Sequence, residues 1–337
     1  MDPVSDSLLA VSFVLAAAIS LAASWLLVTS LERVGARLGL SEALLGLLAA
    51  LAADAPEITA AVTALIRHDQ RVGAGVVIGS NVFNLAALLG FSAVVAGQIA
   101  LHRRVIELAG AVALWIAAVT LALVTGLLSP AASLLLVSAV LAPYVVILGV
   151  RRQRLARSRL PAAVSGWLIK AISEEELELD PAIHPRRGGP RDTVLALAAV
   201  VVVVGASVAM ERTASELGTR HGVPAIIVGA LVLAGVTSLP NAVAAVYLAM
   251  RARGTAVLST ALNSNALNIF AGLLIPTTIP GLGAPSAQTT FVAASYLAMT
   301  VLALFFAYVN RGLRRGAGVV IIAAYLLFAG VLIAIAY

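Results

Sequence analysis

Two carboxylates, Asp54 and Glu57, stand three residues apart in an otherwise apolar stretch, with Pro56 between them. On a helix that spacing puts both on one face. A charged, unpaired acid at the centre of a bilayer costs about 2.5–3.5 kcal/mol on insertion scales, and this stretch contains no Lys or Arg before Arg67. A bound cation or a proton is the natural compensation. The competing reading is a pair of protonated acids hydrogen-bonded to neighbouring helices. Ser80 and Asn84 follow in Gly79-Ser80-Asn81-Val82-Phe83-Asn84, four residues apart and again on one helix face. Their hydroxyl and amide oxygens, with the carboxylates, form an all-oxygen ligand set suited to hard cations such as Na⁺ and Ca²⁺.

The same chemistry recurs later. Shifting the chain by 184 positions superposes Pro56 on Pro240, Ser80 on Ser264, Asn81 on Asn265 and Asn84 on Asn268, with no gap. Matched identities at one offset argue for an internal duplication, and polar residues at membrane depth in both copies argue for one site built from two halves. Each proline removes a helical hydrogen bond and frees a carbonyl about one turn upstream. These carbonyls fall near Ala52 or Ala53 in the first copy and near Val236 or Thr237 in the second. Such backbone is tolerated in a membrane where it lines a cavity. Asn81 and Asn265 point a helical step away from the Ser-Asn faces and read as interhelical hydrogen bonders. Gly73, Gly75, Gly79 and Gly90 read as close-packing positions. Glu42 and Glu107 sit near span starts, within reach of water. His68, His102, His184 and His221 are scattered over loops and boundaries, which argues against a histidine metal site.

The elements that must position these residues are membrane spans. The chain of 337 residues is 61% hydrophobic and 11% charged, with a mean hydropathy of +1.04. A soluble core cannot hide that much apolar surface. There is no cysteine, hence no disulfide, thiolate ligand or thiol nucleophile. The first span is too long for a signal-peptide core and is kept as a span. The net charge of +6 sits in loop arginines, and aromatics are only 5% of the chain and not interleaved with them, so a nucleic-acid role has no support. Ten spans are expected, near 8–31, 40–66, 72–98, 105–128, 131–150, 192–210, 222–250, 255–279, 286–309 and 317–336. The fold class is an all-α polytopic membrane protein. Residues 1–150 form one five-span repeat, 151–191 a hydrophilic loop and 192–337 a second five-span repeat.

Arginine bias sets the orientation. Eighteen of the 22 Lys and Arg fall on one side if the loops after odd-numbered spans are cytoplasmic, leaving Arg67, Arg71, Arg212 and Arg220 on the other. Both termini are then outside and the central loop is cytoplasmic, in a multi-pass protein of the plasma (inner) membrane. Five spans per repeat is odd, so the second repeat enters from the opposite side and the two are inverted about an axis in the membrane plane. In the loop, Arg151 to Arg159 read as a topology signal. Ser165 to Leu179 reads as a short amphipathic interfacial helix, its acidic run as a solvated linker in preference to a regulatory cation site. Pro181, Pro185, Gly188, Gly189 and Pro190 break it before span six.

These motifs resemble the cation/calcium exchanger superfamily, which includes the sodium/calcium exchangers. Its repeats read Gly-Thr-Ser-Leu-Pro-Glu, then Gly-Ser-Asn-x-x-Asn about 24 residues after the proline. Here the first copy is Ala52-Ala53-Asp54-Ala55-Pro56-Glu57 with Gly79 to Asn84; the second is Val236-Thr237-Ser238-Leu239-Pro240-Asn241 with Asn263 to Asn268. The resemblance covers nearly the whole chain. It implies secondary transport of Ca²⁺ or a related cation against Na⁺ or H⁺, with no cofactor and with inorganic cations and the bilayer as partners; protein partners are not indicated. The implied cation-binding set is Asp54, Glu57, Ser80, Asn84, Thr237, Ser238, Asn241, Ser264 and Asn268, with Asp54 and Glu57 as charged metal ligands and the carbonyls of Ala50 and Ala234 as backbone ligands. Two positions depart from the pattern. Asn241 replaces the second Glu, and Asp54 replaces the first Ser, so both carboxylates lie on one repeat. Either Asp54 compensates for Asn241 and a divalent ion is retained, or the lopsided charge favours a monovalent cation/proton exchanger. A cation channel lacks a continuous polar lining or a subunit ring. An intramembrane hydrolase lacks an opposing acid or a Ser-His pair at depth.

Overall fold

The computed structural model describes residues 5–40, 42–149, 161–179 and 188–337. The arginines from Arg151 to Arg159, Arg186, Arg187, Pro181, Pro185 and His184 lie outside the described residues. Thirteen helices account for almost all of the rest. In chain order they are α1 (Asp6–Leu38), α2 (Glu42–Ala53), α3 (Ala55–Ile66), α4 (Gln70–Ala96), α5 (Arg103–Val124), α6 (Pro130–Gly149), α7 (Ala162–Leu179), α8 (Pro190–Arg220), α9 (Ala225–Thr237), α10 (Leu239–Met250), α11 (Gly254–Thr277), α12 (Ala287–Asn310) and α13 (Arg315–Ala336). Eight are long and apolar enough to cross a membrane, and the bent pairs α2–α3 and α9–α10 bring the number to ten if each pair is one span. The protein is thus a ten-span, two-repeat helical membrane protein. A short antiparallel ladder, β1 (Gln98–Ala100) on β2 (Gly312–Arg314), pairs Ile99 with Leu313.

The bends sit where the two prolines require them. Pro56 and Pro240 fall in the first turns of α3 and α10, where a missing N–H costs nothing. Asp54 and Ser238 occupy the single-residue breaks, and the helices on either side diverge by 52° and 46°. The first break is stapled from α1, where Ser24 Oγ donates to the carbonyls of Ala52 at 3.0 Å and Ala53 at 3.3 Å. These are the carbonyls that the proline was expected to free.

The two motif helices form the centre. Of their most apolar stretches, 89% is buried for α4 and 78% for α11, against 17% for α13. Lipid and protein interior are equally apolar, so van der Waals contact and small residues must hold such helices together. A Cβ on Gly79 would stand 2.5 Å from Ala230 Cα, so only glycine lets α4 lie backbone to backbone on α9. Gly318 of α13 likewise meets the Gly90 carbonyl, 2.4 Å from where its Cβ would be. Both motif helices relax into a π-helical turn at their last asparagine, at Leu85–Phe91 directly after Asn84 and at Asn268–Leu274. Such turns are frequent where a helix serves a functional site.

Helices α1 and α8 are longer than the hydropathy suggested, at 33 and 31 residues against expected spans of 8–31 and 192–210. They run antiparallel and are joined at three levels. Asp6 meets Arg220 at 3.0 Å, Ser20 hydrogen-bonds Ser207 at 2.7 Å, and Arg33 meets Asp192 at 3.1 Å. Beyond the apolar runs, Arg33 and Arg220 each find an acid on the other helix. Helix α7 lies across the starts of α2, α5 and α11, burying Leu168 and Ile172 against Leu108 and Ile147. Arg104 at the start of α5 pairs with Glu174. The amphipathic reading of this segment holds, as a helix docked on the bundle.

Candidate functional site

At the crossing of α4 and α11 the two asparagines set aside for helix contacts hold the halves together. Asn81 Nδ2 donates to the Asn265 carbonyl at 2.9 Å, and Asn265 Nδ2 donates to the Asn81 carbonyl at 3.2 Å. Asn84 Nδ2 reaches Asn265 Oδ1 at 3.1 Å, and Asn268 Nδ2 reaches Asn81 Oδ1 at 3.3 Å. Each bond has its counterpart at the 184-residue shift, so the two-fold axis passes between Asn81 and Asn265.

The carboxylates lie beside this crossing, fully buried where the broken helices α2–α3 and α9–α10 meet it. Glu57 Oε1 accepts from Ser238 Oγ at 2.5 Å and Oε2 from Asn268 Nδ2 at 2.5 Å. Asp54 Oδ1 accepts from Asn241 Nδ2 at 2.7 Å and from Ser264 Oγ at 2.6 Å. All four donors belong to the second half, although both acids belong to the first. The Ser80 hydroxyl hydrogen-bonds the Val77 carbonyl at 2.9 Å and also engages Glu57. Asn84 Nδ2 lies 3.4 Å from Ser264 Oγ. The pairs Asp54–Asn241 and Ser238–Glu57 are related by the two-fold. Each joins one carboxylate to one neutral donor. The two departures from the family pattern therefore face each other across a single hydrogen bond.

Three oxygens in this cluster, Asp54 Oδ2, Asn84 Oδ1 and Asn268 Oδ1, are buried without a hydrogen-bond partner. All three are acceptors, and a buried acceptor left unmatched is costly. Among the described residues neither acid is ion-paired, and no group of three or more His, Cys, Asp or Glu side chains gathers anywhere. A cation placed here would meet two carboxylates, with amide, hydroxyl and carbonyl oxygens completing its shell, the donor chemistry of a hard ion.

Thr237 does not join the cluster through its hydroxyl, which bonds the carbonyls of Leu233 at 2.9 Å and Ala234 at 3.3 Å on its own helix. The carbonyls of Ala50 and Ala234 accept the N–H of Asp54 at 2.9 Å and Ser238 at 3.2 Å; this leaves Ala50 one lone pair, whereas Ala234 already takes the Thr237 hydroxyl as well. The sequence reading missed Ser24. It also missed a second polar group beside the cluster, in which Tyr144 donates to Asn263 at 2.9 Å and Asn263 to Ser259 at 3.3 Å.

Residues 8–151 and 192–334 match the family described as sodium/calcium exchanger protein, one match on each half of the chain. The chain belongs to the sodium/calcium exchanger family. The family is one of transporters, not enzymes. A curated relative, "Putative antiporter CaxA" of Alkalimonas amylolytica, is 34% identical over 84 residues, which is 25% of this chain and 26% of that protein. The chain thus spans about a quarter of the length of the curated relative it matches. Among solved structures, the sodium-calcium exchanger NCX_Mj aligns over 97% of this chain and 100% of its own, with TM-score 0.61 and 19% identity. The H⁺/Ca²⁺ exchanger CAX aligns over 97% and 86%, with TM-score 0.69 and 15% identity. YfkE aligns over 97% and 92%, with TM-score 0.64 and 15% identity. At such identities these likenesses establish a shared exchanger fold.

Proposed function

We propose that this exchanger-family chain is a secondary cation antiporter that carries Ca²⁺ or a related divalent cation against Na⁺ or H⁺, by alternating access at the cluster between α2–α3, α4, α9–α10 and α11. The observation that carries the reading is a pair of desolvated carboxylates with no basic partner among the described residues, beside two buried, unmatched amide oxygens, Asn84 Oδ1 and Asn268 Oδ1, one from each half. Asp54 and Glu57 supply the charge; Ser80, Asn84, Ser238, Asn241, Ser264 and Asn268 supply neutral oxygens; the Ala50 carbonyl has a lone pair to add, and the Ala234 carbonyl adds one when the Thr237 hydroxyl turns away. Thr237 acts in this scheme through its place beside the break. The second-half donors Ser238, Asn241, Ser264 and Asn268 bond three of the four carboxylate oxygens. Cation entry rotates those side chains so that oxygens, not N–H groups, face inward. A proton on Asp54 or Glu57 competes with the cation and couples the two fluxes.

The loop that carries α7 is assigned to the cytoplasm, and both termini to the outside of the plasma (inner) membrane, on the arginine bias. Residues 1–150 and 192–337 act as the two gating repeats. The test is ⁴⁵Ca²⁺ flux in proteoliposomes under imposed Na⁺ and pH gradients. Gradient-driven Ca²⁺ movement that Glu57→Gln abolishes supports the proposal. Flux indifferent to both gradients, or unchanged in Glu57→Gln and Asp54→Ser, removes it.

A further inference from the structure

The inverted repeats differ in how they close the two ends of the molecule. The 184-residue shift maps Asn263 onto Gly79, Ser259 onto Gly75 and Tyr144 onto Phe328. On α4 the two glycines seal the contact with α9. A Cβ on Gly79 would lie 2.6 Å from the Ala230 carbonyl oxygen, and one on Gly75 3.1 Å from Ala230 N. Neither water nor an ion fits between those backbones. On α11 the same positions carry polar side chains. Thr255, Ser259 and Asn263 recur every four residues on one stripe, from the end covered by α7 to the cluster, a rise of about 12 Å. Asn263 is held at both ends of its amide, by Tyr144 of α6 at 2.9 Å and by Ser259 at 3.3 Å.

A second inequality agrees with the first. On the face away from α7, Arg67 at the end of α3 pairs at 3.4 Å with Glu211 of α8, which is 1% exposed. The shift maps these residues onto Arg251 and Leu27. Leu27 offers no charge, and the Arg251 guanidinium stacks on Tyr247 at 4.5 Å. Along the stripe itself, α4 is backbone-packed at Gly75 and Gly79, whereas α11 carries oxygens at Ser259 and Asn263.

We propose that Thr255, Ser259 and Asn263 line the route by which the transported cation passes between the cluster and the face carrying α7, with Tyr144 positioning the Asn263 amide. A hard cation leaving two carboxylates at membrane depth must exchange ligands one oxygen at a time. A file of hydroxyl and amide oxygens allows that exchange, and a Gly-Gly-Phe surface does not. The opposite route therefore requires α4 and α9 to part, which makes it the harder gate to open. This inference rests on the transport reading.

The chain has no cysteine, so single substitutions report without background. Ser259→Cys and Thr255→Cys are reconstituted and treated with a charged, membrane-impermeant methanethiosulfonate reagent on one face at a time. Lys170→Cys on α7 and Leu127→Cys in the α5–α6 turn mark the two faces. The route cysteines are expected to label from the Lys170 face alone, and saturating transported cation is expected to slow labelling severalfold. Tyr144→Phe is expected to lower turnover roughly threefold or more, the size of one interhelical hydrogen bond, at an unchanged half-saturating cation concentration. Transport-competent cysteine variants that resist the reagent from that face, or react from the Leu127 face, overturn the inference. So does a Tyr144→Phe variant with wild-type turnover. Absence of flux in the unsubstituted protein would instead remove the transport reading itself.

Discussion

Asp54 and Asn241 are direct partners at 2.7 Å, which changes how their departures from the family pattern are understood. Read along the chain, both negative charges belong to the first repeat; read in space, the second charge has only crossed one hydrogen bond. Asp54→Ser is expected to weaken divalent binding at least roughly tenfold, since affinity in oxygen sites follows ligand charge. The double variant Asp54→Ser/Asn241→Glu is expected to recover most of that loss, because it returns a carboxylate to the other side of the same contact. Equilibrium Ca²⁺ binding to detergent-solubilised protein measures both; a double variant no better than the single one contradicts the pairing. Asp54 and Glu57 were legible as acids without a basic neighbour, and Asn81 and Asn265 as helix-contact residues. Their partners were not legible. A repeat offset gives equivalent positions, and equivalence does not say which position touches which. Ser24 escaped notice because a lone serine in an apolar span looks the same whether it bonds its own helix or caps a broken neighbour.

The helices repeat this pattern of partial legibility. The breaks before Pro56 and Pro240 were readable from the prolines and the polar residues beside them. The lengths of α1 and α8 were not, because hydropathy ends at Glu32 and Glu211 and the chain gives no sign that Arg33 and Arg220 further on will meet Asp192 and Asp6. The tight contact of α4 on α9 was readable only as a run of glycines. Gly79→Ala tests it. With Ala230 Cα 2.5 Å from the new methyl group, the backbones must separate. Overpacking of this kind costs about 1–3 kcal/mol, and a lower melting temperature by fluorescence-detected unfolding is the expected result. Gly166→Ala, on α7 with open space around it, is the control expected to leave melting unchanged. Equal melting of both variants contradicts the close packing.

Across the whole molecule, neither half holds the whole polar cluster. The acids come from residues 1–150, and their four hydrogen-bond donors at Ser238, Asn241, Ser264 and Asn268 come from residues 192–337. Each half expressed alone is therefore expected to give no cation flux in liposomes, and co-expression of the two to restore it in part; flux from either half alone contradicts a shared site. The inverted arrangement was legible from odd span parity. The inequality of the two ends was not, because it lies in what faces Gly79 and Asn263. The most direct measurement is anomalous diffraction from crystals soaked in Cd²⁺, a divalent ion close to Ca²⁺ in size. The expected result is one strong peak within about 2.3–2.6 Å of carboxylate oxygens of both Asp54 and Glu57, with the Asn268 and Asn241 amides turned to present oxygen. A cluster still closed on its own hydrogen bonds, with the metal bound elsewhere or not at all, would contradict it.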